Sequence, residues 1–188
     1  MTNPEVIGTV YLDIDGVILP YFERSSITYG QGLEAVWLNP SQYYYPEVVE
    51  ELGKIAANIV LSTSNGISFF MNPEYNPIKD RLDIAGSIRT DPWNPAHIHN
   101  KFDNVMKHWT KNERLGQVWP GHINQALGQR AVWLDDHIPK LGEADAARLD
   151  SHTEMMAIAP EGNKGLDLAD IERVRQFLVG NNILQPIS

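Results

Sequence analysis

The chain has 188 residues, a formal net charge of −9 and no cysteine. This excludes disulfides, thiolate metal sites and a cysteine nucleophile, and it argues against a stable nucleic-acid complex held by the overall field. No apolar run is long enough to span a membrane, and Met1-Thr2-Asn3-Pro4-Glu5 lacks the basic-then-apolar pattern of a signal peptide, so one cytoplasmic domain over 1–188 is expected.

The first predicted element is a strand near 6–13. It runs into Val10-Tyr11-Leu12-Asp13-Ile14-Asp15-Gly16-Val17, an apolar stretch ending in two carboxylates two residues apart and a glycine. Side chains at i and i+2 of a strand share a face, so Asp13 and Asp15 would repel each other. A hard divalent ion such as Mg²⁺ is the simplest compensation. Asp-x-Asp-Gly also occurs in plain turns and opens calcium loops. Here the acidic residue that closes a calcium loop is missing, and the flanks are strand-like rather than helical.

Residues 17–45 read as an irregular flap rich in rings: Tyr21, Phe22, Tyr29, Trp37, Tyr43, Tyr44 and Tyr45. These rings either pack the flap onto the body or stack on a base or sugar; packing is the simpler expectation. A helix is expected near 46–57, with Pro46 and Glu47 in its first turn and Val48, Val49, Leu52, Ile55 and Ala56 as its apolar stripe. Asn58-Ile59-Val60-Leu61-Ser62-Thr63 predicts a strand near 58–63 that ends in hydroxyls. A short helix near 65–71 follows, for which Thr63 and Ser64 would also serve as cap residues.

Residues 72–96 carry Pro73, Pro77, Pro92 and Pro95 and read as loop, with a short strand near 84–89. A helix near 98–112 is opened by Lys101 and patterned by Phe102, Val105, Met106 and Trp109. Lys107 on the same helix is the alternative to Lys101. His97, His99, Lys101, Lys107, His108, Lys111 and Arg114 form a local basic cluster. It is read as a solvated helix face, with steering of an anionic substrate toward Lys101 as the alternative. His97-x-His99 suggests zinc only weakly and is taken as surface. Ala131-Val132-Trp133-Leu134 predicts a strand near 131–135 ending in Asp135-Asp136. These carboxylates could cap a helix, but Pro139 and the weak apolar periodicity beyond them argue otherwise. A strand near 154–158 with Met155 and Met156 in the core, and a helix near 167–179 capped by Asp167, complete the chain.

Strands alternating with helices predict an α/β fold: a Rossmann-like three-layer sandwich with a mainly parallel central sheet. Ligands of such sheets sit at the carboxyl ends of the strands. Asp15, Thr63 and Asp135 lie at or just beyond such ends, so residues distant in sequence converge on one edge.

The four segments at Asp13-x-Asp15-Gly16, Ser62-Thr63, Lys101 and Asp135-Asp136, in this order, resemble the motifs of the haloacid dehalogenase (HAD) superfamily of phosphatases and phosphotransferases. Ala131-Val-Trp-Leu-Asp-Asp-His137, with Met156-Ala-Ile-Ala-Pro-Glu-Gly-Asn-Lys-Gly165, resembles a bacterial and phage branch of small HAD proteins. Some members of that branch are associated with RNA-repair modules. The resemblance implies a Mg²⁺-dependent phosphatase acting through an aspartyl-phosphate. Asp13 would be the nucleophile, and Asp15 the general acid and base. Thr63, or Ser62 if the register shifts by one, would hold a phosphoryl oxygen, with Gly16 and Asn65 also lining the phosphate site. Lys101 would neutralise charge. Asp13, Asp135, Asp136 and the backbone carbonyl of Asp15 would serve the metal. The inserts at 17–45 and 64–100 look too short for a large cap. The expected substrate is a nucleotide, a nucleic-acid end or another phosphate monoester. Asp15 disfavours dehalogenation. A catalytically silent binding protein on this scaffold and phosphotransfer to an acceptor other than water are the alternatives.

Overall fold

The structure is a computed structural model that describes residues 7–21, 32–63, 66–88, 97–111 and 130–180. Its centre is a five-stranded parallel sheet. The strands are β1 (Thr9–Leu12), β4 (Asn58–Leu61), β5 (Ile84–Ser87), β6 (Ala131–Leu134) and β7 (Met155–Ile158), in the order β5-β4-β1-β6-β7. β1 is central, with Leu12 in register with Leu61 on one side and Leu134 on the other. Asp13, Ser62 and Asp135 each follow one of these paired leucines, so the expected convergence on one edge is present.

The apolar runs are buried on both faces, as parallel sheets require. One face, with Val10, Leu12, Ile59, Leu61, Val132 and Leu134, packs against α1 (Pro46–Gly53) and α6 (Leu168–Val179). The other, with Tyr11, Val60, Ala131 and Trp133, meets Phe102, Val105 and Met106 of α4 (His97–Lys111) and Leu149 of α5 (Glu143–Asp150). Each buried aliphatic or aromatic side chain of this kind contributes roughly 1.5–3 kcal/mol. The three-layer α/β sandwich is thus the observed architecture. Met155 is buried as expected.

Local signals account for most elements. Pro46 and acidic Glu47 open α1, where a missing N–H and a negative charge are both tolerated. Asp167 caps α6 in a reciprocal box with Asp170. Two short helices, α2 (Gly66–Met71) and α3 (Asn76–Lys79), precede β5, so the segment after residue 72 holds more than loop. α5 also departs from expectation: its stripe reduces to Leu149, with Glu143 and Asp145 in the first turn.

Within 17–45 the described residues form a two-stranded antiparallel hairpin, β2 (Val36–Asn39) and β3 (Gln42–Tyr44). Asn39 sets its turn by accepting from the Ser41 backbone N–H at 3.0 Å. Tyr44 and Tyr45 are buried in the core, while Trp37 and Tyr21 remain exposed. The flap rings therefore divide between packing and solvent; Phe22 and Tyr29 lie outside the described residues. No large cap is present among the described residues, and no described helix is long and apolar enough to cross a membrane.

Candidate active site at the carboxyl edge of the sheet

Strand parity builds the site. Tyr11, Val60 and Trp133 lie on the α4 face. Two residues further on, Asp13, Ser62 and Asp135 carry that parity past the strand ends. The helix on this face supplies the cation. Lys101 sits one turn into α4, beside Phe102, whose ring stacks on Trp133 at 5.7 Å between centroids. The Lys101 ammonium is thereby held over the strand ends.

Lys101 Nζ lies 2.7 Å from Asp13 Oδ2 and 2.5 Å from Asp135 Oδ2. All three side chains are nearly removed from solvent, at 1%, 8% and 0% exposure. Burial alone would depress the ammonium, but the two carboxylates outweigh it and raise its pKa. Lys101, and not Lys107, is the lysine brought to these carboxylates; Lys107 acts instead on Asp103. The solvated basic face expected over 97–114 forms only in part among the described residues. Lys101 and His108 are buried, and His99 is engaged by Asp145 at 2.5 Å on α5. The alternation of core and surface along a helix separates residues that are adjacent in sequence. Arg114 and the Lys111 side chain lie outside the described residues.

Asp13 donates no hydrogen bond as a carboxylate; it accepts one from the Ile14 backbone N–H at 2.9 Å. Burial, followed by the nearby Asp135 charge, pushes its pKa up to about 6 against the opposing pull of Lys101. Asp135 accepts from the His137 backbone N–H at 2.8 Å. Its other oxygen touches Lys101 as an ion pair but lies outside hydrogen-bond geometry. One Asp135 oxygen thus closes the turn to His137 and the other faces Lys101; the short helix Ile138–Lys140 that follows takes no side-chain cap. Asp136 is half-buried, with Oδ1 unpartnered among the described residues, and this partial burial raises its pKa. Asp13, Asp135, Asp136 and His137 each offer a donor atom within 4.8 Å of the others. Neither His97 nor His99 belongs to that group.

These observations fit a divalent ion. Two buried carboxylates and a half-buried one face a single lysine, which leaves negative charge uncompensated, and Asp136 Oδ1 lacks a hydrogen bond. The Asp15 carboxylate is not part of that group. Asp15 bridges to Leu19, and the Gly16 N–H donates to Leu19 O at 2.8 Å, so the chain turns back sharply after β1. Gly16 has φ +77°, which other residues resist.

The rim joins Gly16 and Tyr21 to Gly162, to which sequence reasoning assigned no role. A Cβ on Gly16 would sit 2.6 Å from the Asp136 carboxylate and 2.8 Å from the Tyr21 ring. A Cβ on Gly162 would meet the same two groups at 2.8 and 2.9 Å. Two glycines 146 positions apart thus make room for one ring and one carboxylate. Tyr21 N–H donates to Gly162 O at 2.7 Å, which fixes the ring there. Partial burial, then Asp136, Asp13, Asp15 and Asp135, raise the phenol pKa, so it lies within the field of the whole cluster. The signal available in sequence was Gly16 directly after Asp13-x-Asp15 and Gly162 in the loop after β7.

Ser62 is fully buried with its hydroxyl unpartnered among the described residues. Thr63 is buried beside it, one residue out of parity with Asp13 and with hydrogen-bonding of its own. Asn65 lies outside the described residues.

A family model described as the HAD domain in Swiss Army Knife RNA repair proteins matches residues 9–171, from the start of β1 into the first turn of α6. That span holds all four motif segments. Comparison with curated proteins and with solved structures gives no match.

Proposed function

The chain belongs to the family of HAD domains found in Swiss Army Knife RNA repair proteins, and from that membership we propose a Mg²⁺-dependent phosphatase that works through an aspartyl-phosphate on Asp13. Membership carries a phosphatase-type hydrolase function in general; the steps below are the finer proposal. The observation that supports them best is the buried lysine shared by Asp13 and Asp135, with Asp136 beside them carrying an oxygen that has no hydrogen bond.

In this scheme the Asp13 carboxylate attacks phosphorus. The bond from phosphorus to the leaving oxygen breaks, and Asp15 donates a proton to that oxygen. Asp15 then takes a proton from water, whose oxygen attacks the phosphorus. Inorganic phosphate leaves and the Asp13 carboxylate is restored. Lys101 holds Asp13 and the phosphoryl group in a common positive field. Ser62 is favoured over Thr63 as the phosphoryl hydrogen-bond donor, because it shares strand parity with Asp13 and has a spare buried hydroxyl. A Mg²⁺ ion held by Asp13, Asp135 and Asp136, with the Asp15 carbonyl, would neutralise charge on the phosphoryl oxygens.

The favoured substrate is a phosphorylated nucleotide or RNA end. The family description supports it, as do the exposed rings of Tyr21 and Trp37. The net charge suits brief capture of a strand end better than lasting hold on a duplex. The test is phosphate release from an aryl phosphate, 5′- and 3′-nucleotides, and 5′- and 3′-phosphorylated RNA and DNA oligomers. Release with Mg²⁺, none with EDTA, and none from Asp13→Asn is expected. Turnover that survives EDTA or Asp13→Asn would overturn the scheme.

A further inference from the structure

We propose that His137 is an inner ligand of the metal centre, so that the site prefers a borderline first-row ion such as Mn²⁺ to Mg²⁺; this rests on the metal-dependent reading above. The argument begins with position. His137 directly follows Asp135-Asp136, and its backbone N–H is fixed by Asp135 at 2.8 Å. That bond closes the turn after β6 and swings the imidazole back toward the carboxylates. Nε2 lies 3.9 Å from Asp136 Oδ2. Donors bound to one ion at about 2.0–2.2 Å are separated by roughly 3–4.4 Å. The four donor atoms lie within 4.8 Å of one another, so only a small closure brings them onto one ion.

The ring is also held in place. The His97 ring of α4 meets His137 edge to face at 6.4 Å between centroids, and the His137 side chain is 27% exposed. It is placed at the open side of a cluster in which Asp13 and Asp135 are buried and Asp136 is half-buried. The second, independent observation is Asp136 Oδ1, which has no hydrogen-bond partner among the described residues although its side chain is only 7% exposed. A buried anionic oxygen without a donor calls for a cation. A purely carboxylate site suits Mg²⁺, whereas an added imidazole favours first-row transition ions.

The test uses the intact protein with Mn²⁺ as the probe. Pulsed EPR of the bound ion reads nitrogen directly, and Mg²⁺ competition reads preference. We expect ¹⁴N coupling in the wild type, and its loss in His137→Ala and in His137→Gln. The ratio of Mn²⁺ to Mg²⁺ affinity is expected to fall by about tenfold in both variants. Bound Mn²⁺ without nitrogen coupling, or an unchanged affinity ratio in the variants, would overturn the ligand assignment while leaving the metal-dependent reading in place. Absence of binding by either ion would overturn both. Circular dichroism of the variants should match the wild type, since the ring packs at the rim rather than in the core.

Discussion

Two polar groupings lie on the same face of the same sheet, built from the same strand and the same helix, and they solve burial in opposite ways. Tyr11 of β1 meets His108 of α4, with the Tyr11 hydroxyl 2.8 Å from Nδ1. Two residues further along the chain, Asp13 meets Lys101, two turns earlier on α4. The first pair is neutral: burial lowers His108 to about 4 and raises the Tyr11 phenol, so neither carries charge at neutral pH. The second is charged, and its carboxylates outnumber its lysine. A neutral buried pair satisfies itself and fixes the register of helix on strand. A charged cluster left short of cations is costly to keep unless something else binds there. The contrast sets a self-satisfied neutral pair along the strand against a cluster rich in negative charge at the strand ends.

The largest effect should come from the charged group. Asp13→Asn is expected to cut phosphatase turnover at least about 1,000-fold while the protein stays folded. Lys101→Met should cost on the order of 3–5 kcal/mol in urea unfolding with EDTA present, because it strands two buried carboxylates. Added Mg²⁺ should recover part of that loss, since the ion stabilises only the folded form. Equal destabilisation with and without the ion would erase the distinction between the two groupings.

Acid should separate them by sign. His108 has a depressed folded pKa, so its stability is fully present above 6.5 and is lost as pH falls toward about 4. Asp13 has a raised folded pKa, so the folded state binds its proton first and gains stability as pH falls from about 6 toward 3.8. Each contribution is on the order of 2–3 kcal/mol. The metal-free wild type should therefore show a shallow pH profile across this window. Asp13→Asn should expose a steep acid loss, and His108→Gln should expose a gain. Parallel curves in the two variants would refute the opposition.

Gly16→Ala should come next, costing about 1–3 kcal/mol through its positive φ and its clash with Asp136. It should lower turnover as well, since the clash falls on the cluster. Tyr11→Phe is the smallest test. Losing one buried hydrogen bond should cost about 1 kcal/mol in thermal or urea unfolding and leave turnover unchanged. A loss of turnover in Tyr11→Phe would place the neutral pair within the site.

The strands at Asp13, Ser62 and Asp135 were legible because parallel strands buried on both faces are continuous apolar runs, and a carboxylate or hydroxyl marks where each one ends. The preference proposed for Ser62 over Thr63 rests on the pairing of Leu12 with Leu61, which no single strand contains. His108 was misread as surface because a histidine in a polar helix looks solvated until its partner, 97 residues away, is placed. The hairpin of β2 and β3 hid because it is half exposed on both sides, so its alternation carries no clean in-and-out pattern. α5 buries a single leucine, too little to give a helical stripe. The rim of Gly16, Tyr21 and Gly162 depends on close approach between segments, which composition does not record.

The turn after β1 and the loop after β7 are tied by two bonds, Tyr21 N–H to Gly162 O at 2.7 Å and Leu166 N–H to Val17 O at 2.9 Å. β7 is an edge strand and β1 the central one. The ties therefore leap over β6 and join the border of the sheet to its middle. Surface loops ordinarily tolerate changes in length, but this one is cut to measure. A residue inserted between Gly162 and Leu166 would throw the two anchors out of step, and the slack would arrive at Tyr21 and Asp136 without a single motif residue having been altered.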